Sequence, residues 1–362
     1  GSCLYVFLGD SDEYWYLDTS GTWTETNSTA AYYGVHWATK LAKINSSGTF
    51  AYSTAPNAAS PTWTDRADID TGSFGSIRGL ITYADDTGDD SIYCATTKGL
   101  LLYDDTLNLW LNTGLKVPNH TDNGKGLTVQ NGTLYYSSGM TVYAYKISSS
   151  GIADITDVGL TAEALPPTYY TGTITCLFPG NTGELYALVD SRTVSVTNGF
   201  SQVWKYVNGH WYNVYSTTSN GVYMYVGLVD DTYAYRLWWA DSTGAYGKYI
   251  ALSRTQQVPL KVTYSYAASG FYISPWFDGL WPVGNKLALQ VKAFAKDTTA
   301  NITIAIKYRL NHAAVDDATG WTTLYTLVAD DDETEKSVAF NSSLGTLFRA
   351  IQFRLDFATT TS

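Results

Sequence analysis

Charged side chains are scarce in this chain: Asp, Glu, Lys and Arg make up 15% of its 362 residues. The basic ones number 22 against 33 acidic, a formal charge of −11, and nowhere do Lys and Arg gather into a cluster. A surface of that sign repels a polyphosphate, so no nucleic acid is expected as a partner. Cysteine is nearly absent too. Cys3, Cys94 and Cys176 are too few for a disulfide scaffold. Cys94 (SIYCATT) and Cys176 (ITCLFPG) lie in apolar runs and read as small buried side chains. Whether their strands adjoin, allowing the two to pair, the sequence leaves open. No apolar run approaches the ~18 residues of a membrane helix, so no membrane span is expected, nor does the N-terminus read as a signal peptide. His36, His120, His210 and His312 lack zinc-site spacing.

What the chain has in quantity is aromatic and turn-forming residues. There are 30 Tyr, 12 Trp and 31 Gly. Short alternating runs are cut by Gly, Asn, Asp, Ser and Thr, the pattern of strands and hairpins rather than helices. LYVFLG, EYWYLD and TWTET open the chain, and the same rhythm recurs. GVHWATKLAKI is followed by TFAYST and TWTDRADI. GLITYA, SIYCATT, LLLYDD and LNLWLNTGL form the clearest copy. KGLTVQ, TLYYSS, MTVYAYKI and IADITDVGL come next, then TITCLFPG, ELYALVDS, SQVWKYV and HWYNVY. GVYMYVGL, TYAYRLWWA and AYGKYIAL end the series. Four short strands every 35–50 residues or so is the spacing of a β-propeller, whose blades bury their faces only by stacking on one another. The reading is an all-β chain with a propeller over residues 1–262, of about six blades with five to seven admissible. The first unit lacks an opening strand, which Lys248–Leu252 or Leu260–Tyr266 could supply.

From Ser269 the strands lengthen, and residues 270–362 read as a β-sandwich. Leu287, Leu289, Val291 and Ala293 share one face of a strand. Further on, Ile351, Phe353, Leu355 and Phe357 alternate with Ala350, Gln352, Arg354 and Asp356. One face in and one face out is the expectation for both.

Two stretches carry a family likeness. Asp18, Ser20, Gly21 and Trp23, and again Ser60, Thr62, Trp63 and Asp65, come near the Asp-box of BNR-type propellers, found in sialidases, photosystem assembly factors and viral or phage structural proteins. The run Gly270–Leu280 (GFYISPWFDGL), with Phe348–Leu355 (FRAIQFRL), resembles segments that follow propellers in tailed-phage virion proteins. The resemblance implies a virion or extracellular structural protein, a phage-tail component for example, assembled in multiple copies with other virion or assembly proteins. It brings no catalytic residues with it.

Candidate sites are few. A sialidase-like clamp needs three arginines on one carboxylate. Arg66, Arg78 and Arg236 lie in different units and read as salt-bridging residues. No pair of carboxylates stands out for glycosidase work, and no catalytic residue is assigned. Asp85, Asp86, Asp89 and Asp90 crowd one turn and offer oxygen ligands to a structural calcium, the one cofactor the sequence suggests. Trp211, Tyr212, Trp238 and Trp239 are candidate ligand-binding residues, since exposed rings stack on glycans. Six Asn-x-Ser/Thr sequons, from Asn27 to Asn341, matter only on secretion from a glycosylating host. The function read here is a virion or extracellular structural protein contacting host glycans. The alternatives are a carbohydrate-binding protein or glycoside hydrolase, and a cell-surface filament component.

Overall fold

The computed structural model describes residues 3–360 except 11, 27–29, 59, 85–89, 149, 161–171, 181–182, 192–200, 218–220, 230–233, 242–243, 253–267, 280, 282, 296–299, 312–318 and 332–334. From residue 216 to 252 it describes the backbone of the strands but few side chains. The chain divides into two compact units, Gly1–Gln257 and Val258–Ser362.

The first unit is a succession of antiparallel meanders, each in chain order. The first sheet holds β1 (Leu4–Val6), β2 (Trp15–Leu17) and β3 (Trp23–Glu25). The second holds β4 (Tyr33–Trp37), β5 (Lys40–Ile44), β6 (Phe50–Ser53) and β7 (Thr64–Asp65). The third holds β8 (Ile77–Ala84), β9 (Asp90–Thr96), β10 (Gly99–Asp104) and β11 (Leu109–Lys116). The fourth holds β12 (Leu127–Gln130), β13 (Thr133–Ser138), β14 (Thr141–Ile147) and β15 (Ala153–Asp157). The fifth holds β16 (Thr173–Pro179), β17 (Leu185–Asp190), β18 (Ser201–Val207) and β19 (His210–Thr217). The sixth holds β20 (Gly221–Val229), β21 (Ala234–Asp241) and β22 (Gly244–Leu252).

The core lies between these sheets. On β9, Ile92 and Cys94 join Trp37, Ile44 and Phe50 of the second sheet, while Tyr93 and Ala95 join Leu134, Tyr136 and Tyr145 of the fourth. Side chains on a strand alternate sides, so one short strand serves two interfaces. Val142, Ile174, Leu185 and Trp204 join the fourth sheet to the fifth, and Cys176, Leu188, Met224 and Leu237 the fifth to the sixth. Full burial of such side chains is worth about 1.5–3 kcal/mol each, which no lone meander could gain on both faces. The opening strands are neighbours in turn: β4 beside β8, β8 beside β12, β12 beside β16, β16 beside β20. Space is short where they meet. A Cβ on Gly126, just before β12, would stand 2.6 Å from Leu177 of β16.

Several expectations are corrected. GVHWATKLAKI is two strands, β4 and β5, because Ala38 takes a left-handed conformation (φ +50°) and Trp37 pairs with Lys40 across the turn. A four-residue helix, α1 (Thr71–Phe74), breaks the all-strand pattern where Asp70 caps it through the Gly72 N–H at 3.0 Å. Lys248–Leu252 belongs to β22 and pairs with β21, not with the first sheet. Leu260–Tyr266 lies outside the described residues. Cys94 and Cys176 are free, buried, and on sheets separated by the whole of β12–β15, so their strands do not adjoin. Ser60–Asp65 runs into β7, the last strand of its sheet.

The second unit has a four-stranded antiparallel sheet in the order β23 (Ser269–Ile273), β30 (Ile351–Thr359), β26 (Ile302–Leu310), β27 (Thr322–Leu327). Two short ribbons accompany it: β24 (Lys286–Ala288) with β29 (Thr346–Phe348), and β25 (Gln290–Phe294) with β28 (Glu335–Ala339). Ile304, Ile306, Leu327 and Leu355 of the large sheet pack against Ala293 and Ala295. Leu287 and Leu289, expected on the buried face with Val291 and Ala293, are exposed. The strand breaks at Leu289 and changes ladder partner, from Thr346–Phe348 to Glu335–Ala339, so only its second half reaches the core.

Candidate functional site

The face of β30 expected to meet solvent is partly roofed. Its alternating residues Gln352, Arg354 and Asp356 stand in register with Arg309, Lys307 and Ala305 of β26, and Phe271 of β23 pairs with Asp356. Neighbouring strands run about 4.8 Å apart, so these side chains form a short charged row. Asp356 is held from both sides, by Lys307 Nζ at 2.5 Å and by Arg354 Nε at 2.5 Å. Burial opposes ionisation of its carboxyl, but the hydrogen bonds from Lys307 and Arg354 outweigh it and hold the group below the usual carboxylate range.

Aromatic rings flank the row. The Arg354 guanidinium stands 4.4 Å from the centroid of Phe271 and 5.9 Å from that of Trp321. Arg309 stands 4.5 Å from Trp321 and 5.3 Å from Trp276. Arg309 and Gln352 are only 5% and 3% exposed. They survive burial because Arg309 Nε donates to Gln352 Oε1 at 2.8 Å, and Gln352 Nε2 donates to the Ser274 carbonyl at 2.7 Å. Three cations face one carboxylate, so the row is locally positive on an acidic protein. Sequence reasoning passed over it as a solvent face. The signal was present in the matched Lys307-x-Arg309 and Gln352-x-Arg354-x-Asp356 alternation, with Trp276 and Trp321 near by.

A second polar assembly closes one end of the third and fourth sheets in the first unit. Buried Asn123 donates to the carbonyls of Thr97 (2.9 Å) and Pro118 (2.7 Å) and accepts from Ser138 Oγ (2.9 Å). That pins the 117–126 loop and sets Arg78, His120, Asp122 and Lys125 around it. Arg78 donates to the Thr121 carbonyl at 2.7 Å, and Asp122 pairs with Lys125 at 2.6 Å. The same Asp122 carboxylate lies 3.6 Å from His120 Nδ1, so Lys125 and His120 share one acidic partner.

The sequence-derived candidates do not converge. Trp211 donates its indole N–H to the Val158 carbonyl and packs on Tyr206 at 5.0 Å, an inter-sheet role. Tyr212, next on β19, is exposed. Trp238 is half-buried on β21, and the side chain of Trp239 lies outside the described residues. Asp85, Asp86 and Asp89 also lie outside them; Asp90 is exposed at the start of β9, its carbonyl accepting from Trp37 Nε1 at 3.0 Å. Among the described residues no group of three His, Cys, Asp or Glu gathers as a metal site. Arg66 follows β7 at the edge of the second sheet, 3.4 Å from Asp105 and 3.1 Å from Tyr52 Oη, whereas Arg78 on β8 of the third sheet bonds the Thr121 carbonyl. The side chain of Arg236 is not described.

An apolar cleft of about 450 Å³ opens in the second unit, lined by Tyr272, Val291, Ile304, Phe353, Leu355 and Phe357 among others. It is the opposite face of the same sheet that carries the charged row.

No protein-family model matches the chain, and no curated protein matches its sequence. Among solved structures, the extracellular domain of a one component system from B. thetaiotaomicron aligns at 16% identity over 83% of this chain and 37% of that one, TM-score 0.47. That of a hybrid two component system from the same organism aligns at 14% over 64% and 30%, TM-score 0.45. The chain thus spans about a third of the length of these two. YCF48 bound to D1 peptide aligns at 10% over 66% and 74%, TM-score 0.41. Likenesses at this level identify neither a family nor a function. Among the described residues no helix is long and apolar enough to cross a membrane.

Proposed function

We propose that the chain is a non-catalytic scaffold of a virion or extracellular surface, present in multiple copies, whose second unit takes a saccharide. In this reading the six meanders close radially as propeller blades, the neighbouring opening strands lining the axis, and the second unit is a β-sandwich. The observation that carries the binding role is the Lys307–Asp356–Arg354 row with Phe271 and Trp321 beside it. Rings offer a face to sugar C–H groups, and fixed cations and a carboxylate offer donors and acceptors to hydroxyls. The local excess of positive charge favours acidic saccharides. Catalysis is not part of the proposal. Hydrolysis needs two carboxylates about 5–9 Å apart, one of them protonated, whereas the described row has one, kept ionised by two cations.

The test is calorimetric titration with neutral and carboxylate-bearing oligosaccharides. The acidic ones bind, and Trp321→Ala and Arg354→Ala each weaken binding by about ten-fold or more, roughly 1–2 kcal/mol, with unchanged melting temperature. Absence of binding by the unaltered chain, or measurable glycosidase turnover, overturns the proposal. A second stacking position is favoured by one observation: exposed Tyr212 lies opposite Lys205, which pairs with Glu184 at 3.2 Å. Tyr212→Ala reports on it separately.

A further inference from the structure

The chain runs Asn-Gly at 123–124, 131–132, 198–199, 208–209 and 220–221. The pair has a chemistry of its own. With no Cβ on the glycine, its backbone nitrogen can reach the carboxamide of the asparagine before it. Asn198, Gly199 and Asn220 lie outside the described residues. The other three pairs are held in three different ways.

Asn208-Gly209 is the tip of the β18–β19 hairpin. Val207 pairs with His210, so the ladder closes across a two-residue turn, both residues left-handed at φ +52° and +81°. Both are exposed, and a Cβ on Gly209 would meet nothing within 4 Å. Among the described residues no hydrogen bond reaches the Asn208 carboxamide or the Gly209 N–H. Asn131-Gly132 repeats that turn at the tip of β12–β13, with φ +49° and +68° and Gln130 paired with Thr133. This copy is clasped. The Gly132 carbonyl accepts from the hydroxyl of buried Tyr83 at 3.0 Å, and a Cβ on Gly183 would stand 3.1 Å from Asn131 Nδ2. Asn123-Gly124 is held at every atom that matters. The Asn123 Nδ2 donates to two carbonyls, and the Gly124 N–H donates to the Ser137 carbonyl at 2.7 Å. A Cβ on Gly124 would stand 3.0 Å from the Thr96 carbonyl oxygen and 3.1 Å from Arg78.

We propose that Asn208 is a site of self-modification, losing its amide nitrogen through a cyclic imide with Gly209, and that the fold slows the same reaction at Asn131 and shuts it off at Asn123. Water is the other reactant. Solvent base takes the Gly209 amide proton, and the nitrogen bonds to Asn208 Cγ. The Cγ–Nδ2 bond breaks, and Nδ2 departs as ammonia with a proton from water. A water molecule then opens the ring. Cleavage at the side-chain carbonyl leaves aspartate. Cleavage at the main-chain carbonyl leaves isoaspartate, with the chain running through Cβ. Nothing is oxidised or reduced. Ring closure needs the glycine nitrogen to swing onto Cγ, so the turn must open locally, and opening is easiest where the fewest contacts hold. The Tyr83 bond adds to that cost at Asn131. At Asn123 the attacking nitrogen is committed to Ser137 and the leaving nitrogen to Thr97 and Pro118. The product places a new carboxylate at the end of the hairpin that carries Trp211 and Tyr212.

Peptide mapping by mass spectrometry of the full chain, kept folded at mildly alkaline pH, tests this. Each conversion adds about 1 Da. Asn208 converts first. Asn131 follows more slowly, by the roughly two- to ten-fold that one hydrogen bond is worth. Asn123 stays intact while the fold holds. In urea the three convert at one rate, because there each is simply an asparagine before a glycine. Tyr83→Phe, which removes the hydroxyl alone, brings Asn131 up to the Asn208 rate, and an Asn131 rate it leaves unmoved overturns the clasp. Asn123 reports on the fold in the same map. A variant in which it converts is unfolded, and the order in the unaltered chain then decides. A folded chain whose Asn208 converts no faster than Asn131 or Asn123, or rates in urea that keep the folded order, overturns the proposal.

Discussion

Lys43 shows how much one side chain can say about pH. It points into the first unit, 4% exposed, with its ammonium 3.9 Å from the Trp63 ring and 5.8 Å from Tyr14. Burial pulls its pKa down to about 8, against the opposing pull of Asp65. In the unfolded chain the group titrates near 10.4. Between those values the unfolded state binds more protons, so raising the pH favours the folded state. Urea midpoints are expected to rise between pH 8 and 10 by an equivalent of about 2 kcal/mol, and Lys43→Met to abolish the rise. Above pH 10 the sign reverses, because burial pushes the Tyr14 phenol up and tyrosinate forms first in the unfolded chain. The thiols give a second residue-scale test. Cys94 and Cys176 are buried, and burial pushes both thiols up. A thiol reagent is expected to label Cys3 promptly in the folded protein and the other two only after denaturation. Equal labelling of all three would contradict the inter-sheet placement.

At the scale of elements, two hairpins share one construction. In the β2–β3 turn Asp18 Oδ1 accepts from the Ser20 N–H (2.9 Å), the Ser20 hydroxyl (2.6 Å) and the Thr22 N–H (2.9 Å). In the β5–β6 turn Asn45 Oδ1 accepts from Ser47 Oγ (2.8 Å) and the Thr49 N–H (2.8 Å). Gly21 (φ +81°) and Gly48 (φ +98°) supply the left-handed residue each turn needs. The sequence pattern common to both, Asp/Asn-x-Ser-Gly-Thr-Trp/Phe, sits at Asp18–Trp23 and Asn45–Phe50, not at Ser60–Asp65. Asn45→Ala is expected to cost about 1 kcal/mol in urea unfolding, Asn45→Asp much less. Gly126→Ala, forced against Leu177, is expected to cost about 1–3 kcal/mol. Strand positions were legible because apolar alternation is local. The split at Ala38 was not, since neither Gly nor Asn marks that turn. The exposed Leu287 and Leu289 were not, since the change of ladder partner is set by strands some fifty residues away.

For the whole molecule, salt reports on the charge that the second unit presents. Binding of an acidic saccharide to the Lys307–Asp356–Arg354 row is expected to weaken between 0.05 and 0.5 M NaCl, because screening weakens the attraction of fixed cations for an anion. Calorimetry across a salt series measures this, and binding that holds or tightens with salt would contradict the assignment.

The sequence alone determined that the chain is β throughout and that its short meanders recur, because turn residues and period-two alternation act over a few neighbours. Only the tertiary structure decided which alternate face becomes roofed and which stays bare. Gln352 and Arg354 passed for solvent positions until Arg309, Trp276 and Trp321 were brought beside them, and Leu287 passed for core until its ladder partner proved to be another short ribbon. Burial is a property of what lies across from a side chain, and that is fixed by contacts between residues far apart in the chain.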